Sequence, residues 1–362
     1  MRPSDYSYDS FASNGINREF YLETGPLQRP GADRGLGRYA QSMLDGYREI
    51  GAKVTPITSP NFLGAALELW KKRPGANAVY HATSPYGIPP LKHLRWMCSI
   101  QDVIPLDLKE YSRLGIKSKV LFKNAMRSDC LLTNSNYTRN RLLEMYSAQP
   151  EKIRTLPLPV NPIFFLQSDS ANASPEVPKY VSAMVDLRTP DPRKRAHWLA
   201  PLAEELSKVG LSLQVTGRGL DQIASMIPHA TPVITETDEH LRDFFAGAIA
   251  HVYTSAYEGQ GLPPLEAMAT GSPVIAFDNT SVGEMVGSTQ FLLEDPAPWE
   301  SFNLAADLPS TVVDHIVDIC VALSKDDGYW RQYSVAAKRR ASDFSNERFV
   351  EKLGEILKDV IA

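Results

Sequence analysis

The chain has 362 residues, a net charge of −4, 43% hydrophobic and 22% charged residues, proportions that exclude a disordered or collagen-like chain and leave room for two domains with separate cores. The weakly acidic balance excludes a molecule that binds polyanions such as nucleic acid over its whole surface. Three scattered cysteines, Cys98, Cys130 and Cys320, read as buried thiols rather than a disulfide or metal framework.

Residues 1–16 are polar and aperiodic and read as an extension without the apolar core of a secretory signal. No run of ~18 apolar residues follows, so no membrane span is expected. A strand is predicted over 19–23, then a Pro/Gly-rich loop over 25–37. A helix over 38–50 follows, with Tyr39, Met43, Tyr47 and Ile50 near helical spacing and Gly51 at its stop. Strands over 78–81, 97–104 and 130–133 alternate with helices over 120–127 and 138–146, which argues for a parallel, doubly wound sheet. The texture changes near Leu156, and a Pro/Ser-rich stretch ending at Pro178 is the linker candidate. A second alternation follows, with strands over 180–185, 212–216, 250–254 and 273–277. Its helices fall over 197–209, 240–247, 264–269 and 310–324. The last helix, 346–361, carries Phe349, Leu353, Ile356, Leu357 and Val360 on one face. The expected division is an extension over 1–16, a first domain over 17–170, a linker over 171–178, a second domain over 179–345 and a final helix over 346–362.

The segment Tyr257–Met268 holds the densest chemistry. It runs from a strand end through Glu258 and the turn Gly259-Gln260-Gly261 to Pro263-Pro264, where a helix begins with Glu266 in its opening turn. Backbone N–H groups and the helix dipole at such a point favour an anion, and the two carboxylates suit sugar and ribose hydroxyls. The plainer reading is that Glu266 solvates a helix start and Glu258 caps a loop. Asp191-Pro-Arg-Lys-Arg195, after another strand, offers cations that could offset a leaving diphosphate's charge, or simply a solvated basic loop. Gly35 and Gly37, within G-A-D-R-G-L-G-R-Y, would let the backbone approach a ligand closely. Gln101-Asp102 stands at another strand end, where Asp102 is an acceptor-side contact or base, or a loop cap. Gln101 can hydrogen-bond a sugar hydroxyl but cannot titrate near neutral pH. His81 is read as structural first and acceptor-side second. Ser135 or Asn136 is a candidate helix cap.

E-G-Q-G-L-P, P-L-E-A-M-A-T, G-S-P-V-I-A and S-V-G-E-M-V-G, between Glu258 and Gly287, together resemble the signature of glycosyltransferase family four, the retaining GT-B enzymes of group 1. The basic loop, the Arg-Gly-Leu-Gly-Arg-Tyr stretch and the Gln-Asp pair resemble further segments of that family, which has His-Asp where this chain has Gln101-Asp102. The resemblance implies an α/β, GT-B fold of two Rossmann-like domains with parallel sheets facing a central cleft, with the acceptor on the first and a nucleotide sugar on the second. It implies that the final helix crosses back to the first domain. It also implies a retaining, metal-independent hexosyltransferase without a cofactor, with Glu258, Lys194, Asp102 and Gln101 at the chemistry. Gly35, Gly37, Arg193, Lys194, Glu258, Gly259, Gln260, Gly261, Leu262 and Glu266 would hold the donor: Glu258 the sugar, Glu266 the ribose, Lys194 and the 259–262 backbone the diphosphate. Gln260 departs from the family's phenylalanine. His81 and Asp102 are the acceptor-side candidates.

Similarity to bacterial mannosyl- and rhamnosyltransferases of polysaccharide or O-antigen assembly makes GDP-mannose the first donor and a saccharide or lipid-linked saccharide the acceptor. A non-catalytic GT-B subunit and a nucleotide-sugar epimerase are the alternatives. Lys109, Arg113, Lys117, Lys119, Lys123 and Arg127, opposed only by Glu110, form a basic stretch suited to an anionic membrane surface or to a solvated helix face. The expected location is cytoplasmic, with the inner face of the plasma membrane as the surface in question.

Overall fold

The computed structural model describes residues 18–28, 35–59, 62–87, 94–108, 111, 115–166, 180–188 and 191–361. The expected extension and the expected linker lie outside them. The chain divides into two compact units, Met1–Pro159 with Glu347–Ala362, and Val160–Asn346.

The first unit is built on strands β1 (Glu19–Glu23), β2 (Lys53–Ile57), β3 (Val79–Ala82), β4 (Arg95–Ile100), β5 (Cys130–Thr133) and β6 (Ile153–Thr155). They form one parallel sheet in the order β2-β1-β3-β4-β5-β6. Its helices are α1 (Gly35–Glu49), α2 (Phe62–Lys72), α3 (Ile104–Asp107), α4 (Ile116–Ala125) and α5 (Asn136–Tyr146). Ala65 of α2, Phe122 and Ala125 of α4 and Leu142 of α5 share one buried cluster with Tyr21, Tyr80, Trp96, Cys98 and Leu131 of the sheet. These three helices therefore cover the same sheet face. Gly51 stops α1 with a φ of 70°, a left-handed conformation natural to glycine.

The second unit has strands β7 (Tyr180–Asp186), β8 (Ser212–Arg218), β9 (Ala230–Pro232), β10 (Ala250–Tyr253), β11 (Val274–Asp278) and β12 (Phe291–Glu294), parallel in the order β12-β11-β10-β7-β8-β9. Helices α6 (Leu199–Lys208), α7 (Ile223–Met226), α8 (Asp238–Ala246), α9 (Leu262–Thr270), α10 (Val282–Val286), α11 (Ser310–Lys325) and α12 (Asp327–Ser342) complete it. The chain steps one way from β7 to β8 and β9, then returns to β10 on the other side of β7. That reversal opens a crevice beyond the carboxyl ends of β7 and β10, the usual binding place of an open parallel sheet.

Several elements differ from the sequence reading. The strands β2, β6, β9 and β12 and the helices α2, α7, α10 and α12 were not predicted; the missed strands are short, three to five residues each. The run over 97–104 ends as a strand at Ile100 and turns into α3, where Pro105 favours a helix start. The units divide at Pro159–Val160 rather than at 170. The reason is packing: the Val160 N–H donates to the Phe344 carbonyl at 2.9 Å, and Phe164 lies 6.3 Å from the Phe245 ring. The three cysteines are free and buried.

The final helix, α13 (Asn346–Ile361), falls with the first unit. Phe349, Leu353, Ile356 and Leu357 are buried. Phe349 and Leu353 lie against Gly46 of α1, where a Cβ would come within 2.8 Å and 2.9 Å of them, and Arg95 donates to the Val360 carbonyl at 2.8 Å. Gly46→Val is expected to lose about 1–3 kcal/mol by overpacking this seam. Gly354→Ala, whose new methyl meets only Ile50 at 3.9 Å, should gain ~0.5–1 kcal/mol from helix entropy. Urea denaturation of the two variants checks the contrast.

Candidate active site

Beyond β7 the chain makes a single turn, Pro192–Lys194, capped by Asp191, whose carboxylate accepts the Arg193 N–H at 3.0 Å. The Arg193 side chain closes back on the same carboxylate at 2.7 Å and donates to the Tyr257 carbonyl at 3.0 Å. The Arg193 guanidinium thus ties the 191–193 turn to the loop after β10. Two further bonds fix that join, Ala256 N–H to Arg193 carbonyl and Thr254 hydroxyl to Lys194 carbonyl, both 2.7 Å.

Arg195 follows in a left-handed conformation, φ 48°, unusual for a side chain of its size. It is 0% exposed. Its Nη1 reaches both Asp295 oxygens at 2.9 Å, its Nη2 donates to the Ala297 carbonyl, and its guanidinium lies 4.1 Å from the centre of the Trp198 ring. Asn279 donates to Asp295 at 2.7 Å and to the Ser255 carbonyl at 3.1 Å. The carboxyl ends of β7, β10, β11 and β12 are thus joined through one buried charge pair.

This frame brings Lys194 and Glu258 into an ion pair. The Glu258 Oε1 also accepts from Tyr253 at 2.7 Å and Ser255 at 2.6 Å, so all three bonds fall on one oxygen. The Glu258 backbone is pinned as well, its N–H by Thr280 at 3.2 Å and its carbonyl by Ser281 at 2.9 Å. Burial pushes the Glu258 carboxyl up, but the charges of Lys194 and Arg193 and the bonds from Lys194 and Ser255 outweigh it, taking it from an ordinary 4.5 down to about 2. Tyr253 and Ser255 escaped the sequence reading, although both stand within five residues of Glu258 at a strand end.

Gly261 starts α9 with φ 88°, which suits glycine alone. The helix begins at Leu262, earlier than predicted, so Glu266 sits in its second turn rather than its first and is buried. Pro263 and Pro264 have no N–H. The donors that helix geometry leaves without an internal partner are therefore gathered at Leu262 and the Gly259–Gly261 loop just ahead of it. The Gln260 side chain is buried, and its backbone stays in that loop.

In the first unit, Gly35 and Gly37 lie inside the first turn of α1 rather than in the loop before it, Gly35 with φ 45°. The Gly31–Arg34 stretch lies outside the described residues. The Asp102 carboxylate accepts the Ile104 N–H at 3.1 Å, and Gln101 donates to the Thr83 carbonyl at 3.4 Å. Ser135 is the cap of α5, accepting from Thr138 at 3.2 Å. Glu23, which the sequence reading passed over, is buried nearby and accepts the Thr83 N–H at 2.8 Å. His81, expected as structural first and acceptor-side second, ends enclosed within the first unit. Its ring is 0% exposed, with Tyr47 3.1 Å from one nitrogen and Ser99 2.8 Å from the other, and burial pushes its pKa down to about 3.

Residues 180–305, the part of the second unit that carries this site, match the family model described as glycosyl transferases group 1. That match lies wholly within the second unit. Over 300 residues the chain is 25% identical to the O-antigen chain mannosyltransferase B of Escherichia coli, covering 77% of this chain and 74% of that protein. Among solved structures it resembles sucrose-phosphate synthase from Thermosynechococcus elongatus, with 16% identity, 95% and 99% of the two chains covered and a TM-score of 0.71. It also resembles Anabaena Alr3699/HepE in complex with UDP, with 15% identity, 94% and 100% covered and a TM-score of 0.64. The fold is GT-B, each unit a Rossmann-like parallel sheet wrapped by helices.

Two measurements bear on this frame. Because the folded Glu258 carboxyl lies below its unfolded value, its pair stabilises fully above pH 4.5 and is lost as pH falls toward about 2. Stability followed by denaturant midpoint should fall more steeply across that window in the parent than in Glu258→Gln. Asp295→Ala, which strands Arg195 in the interior, should cost about 3–5 kcal/mol in urea denaturation.

Proposed function

We propose that the chain is a retaining, metal-independent hexosyltransferase of glycan assembly, transferring mannose from GDP-mannose to a saccharide or lipid-linked saccharide in the cytoplasm. The observation that carries the reading is the Lys194–Glu258 pair at the switch point of the second sheet, beside the glycine loop that starts α9. The group 1 match over the same residues supports sugar transfer. The likeness to a mannosyltransferase of O-antigen chains favours mannose, and the UDP in the HepE structure favours a nucleoside diphosphate leaving group.

Each group has a task in that chemistry. The donor diphosphate meets the Gly259–Leu262 backbone and displaces Glu258 from part of the Lys194 charge. Lys194 then stabilises the negative charge that grows as the anomeric carbon–oxygen bond breaks. The Glu258 Oε2 accepts a hydrogen bond from a sugar hydroxyl, and Glu266 holds the ribose. The acceptor oxygen bonds to the anomeric carbon on the face the diphosphate leaves, and the departing phosphate takes the acceptor proton. Asp102 is the acceptor-side contact or base, and Gln101 hydrogen-bonds a sugar hydroxyl.

Lys194→Ala should lower kcat/KM for donor turnover by about 10²–10³-fold, the scale of losing one charge-stabilising donor, with the pathway of product formation read by chromatography of released nucleotide. Glu258→Ala should be at least as damaging. Undiminished function with a partner enzyme in that variant would instead mark a binding subunit, and epimer formation from donor alone would mark an epimerase. A thermal-shift comparison of GDP, UDP, ADP and dTDP identifies the base. GDP at 100-fold its Kd should add about 2.7 kcal/mol, and a larger response to another base would overturn the GDP assignment.

A further inference from the structure

The outer side of α2 carries Leu63, Leu67 and Trp70, 70%, 59% and 74% exposed. Their spacing places them in one line along the helix. On α4, Ile116 and Val120 are 81% and 60% exposed, again one turn apart. Ordinary surfaces scatter such side chains singly, and two parallel rows of them call for a cover.

Charge says what the cover is. The rows are flanked by exposed Lys71 on α2 and by exposed Lys117, Lys119 and Lys123 on α4. The one carboxylate of α2, Glu68, is turned toward the Thr58 and Ser59 N–H groups at 2.9 Å and 3.0 Å and toward Lys72, and α4 contains no acid. The chain as a whole is acidic, at −4, so these cations are concentrated against the overall trend. Both helices lie on one face of the first sheet through the cluster that Ala65 and Phe122 enter, so their outer sides point away from the same layer.

We propose that this face of the first unit docks on an anionic lipid bilayer. The apolar rows enter the boundary between headgroups and acyl chains, Trp70 sits at the headgroup level its ring prefers, and the lysines meet the anionic headgroups. A second copy of the chain is a poorer cover, because a two-fold contact would set each lysine row against its own copy. The inference does not depend on the donor chemistry, which lies in the other unit.

Co-sedimentation of the full chain with vesicles tests it. The chain should partition onto equal parts phosphatidylcholine and phosphatidylglycerol, weakly onto phosphatidylcholine alone, and less in high salt. The pairs Leu67→Ser with Trp70→Ala and Lys119→Glu with Lys123→Glu should each lower partition by roughly tenfold or more. The melting temperature and its shift on adding nucleoside diphosphate should stay as in the parent, since the altered side chains are exposed. Absence of binding, equal binding to neutral vesicles, or indifference of both variant pairs overturns the proposal. So does a concentration-dependent dimer, without vesicle binding, that the same variants dissolve.

Discussion

The buried pair of Arg195 and Asp295 is the constraint on which the site rests. Taking two charges out of water costs several kcal/mol per ion, offset here by good geometry at every polar atom of the pair except Arg195 Nε, which is buried without a partner among the described residues. Here Asp295 receives Arg195 on both oxygens, the Ala297 N–H at 2.9 Å and the Asn279 amide at 2.7 Å. Arg195 adopts a left-handed backbone to reach it. An apolar pair of equal volume could be as stable, but it would not fix direction. The charged version sets where the chain leaves the 192–194 turn, and so where Lys194, one residue earlier, points. Through Asn279 and the Ser255 carbonyl it sets the loop that carries Glu258. Lys194 and Glu258 are positioned by sequence neighbours that this buried network holds.

That arrangement explains how a cation and a carboxylate can wait together for an anionic ligand. Lys194 is the more exposed partner, 35% against 13% for the Glu258 side chain. Glu258 keeps Tyr253 and Ser255 on Oε1 when Lys194 turns away, so losing the lysine does not strand a bare buried charge. The lysine can be shared with a diphosphate at small cost while the carboxylate stays ionised. The two prolines of α9 act in the same direction. They remove N–H groups from the second and third helical positions and concentrate the remaining donors in the loop, where the backbone can wrap an anion.

The second unit was legible because its signals are local and redundant. Apolar strand runs, a glycine loop, prolines at a helix start and a family-like segment all fall within Ala250–Gly287. The missed strands are short and occupy or adjoin sheet edges, where few apolar residues are needed. Helix α2 carries Leu63, Leu67 and Trp70 at helical spacing, a signal present in the sequence, but the side it marks is the exposed one. The run Arg193-Lys194-Arg195 shows a different limit of the sequence. Sequence supplies three consecutive positions with cations near one another but not their rotation. Only the turn shows that Arg193 folds back on Asp191, Arg195 enters the core and Lys194 faces Glu258. His81 likewise reads as a strand-end histidine until Tyr47 and Ser99 are seen on its two nitrogens.

The first unit narrows the ways a proton could move. Burial and occupied nitrogens keep His81 neutral, and Gln101 cannot titrate. Among the described residues at the carboxyl ends of β1, β3 and β4, the carboxylates are Glu23 and Asp102. Both accept backbone N–H groups, of Thr83 and Ile104. Under the retaining reading the departing phosphate is then the natural base, and Lys194 becomes a compromise. A lysine bound wholly to the diphosphate would stabilise the leaving group best but also make it a poorer proton acceptor. Sharing the lysine with Glu258 tempers its charge and leaves the phosphate basic enough to take the acceptor proton. Under that reading the depressed carboxyl of Glu258 and the glutamine at position 101 belong together: the substrate supplies the base, and Glu258 moderates the lysine that faces it.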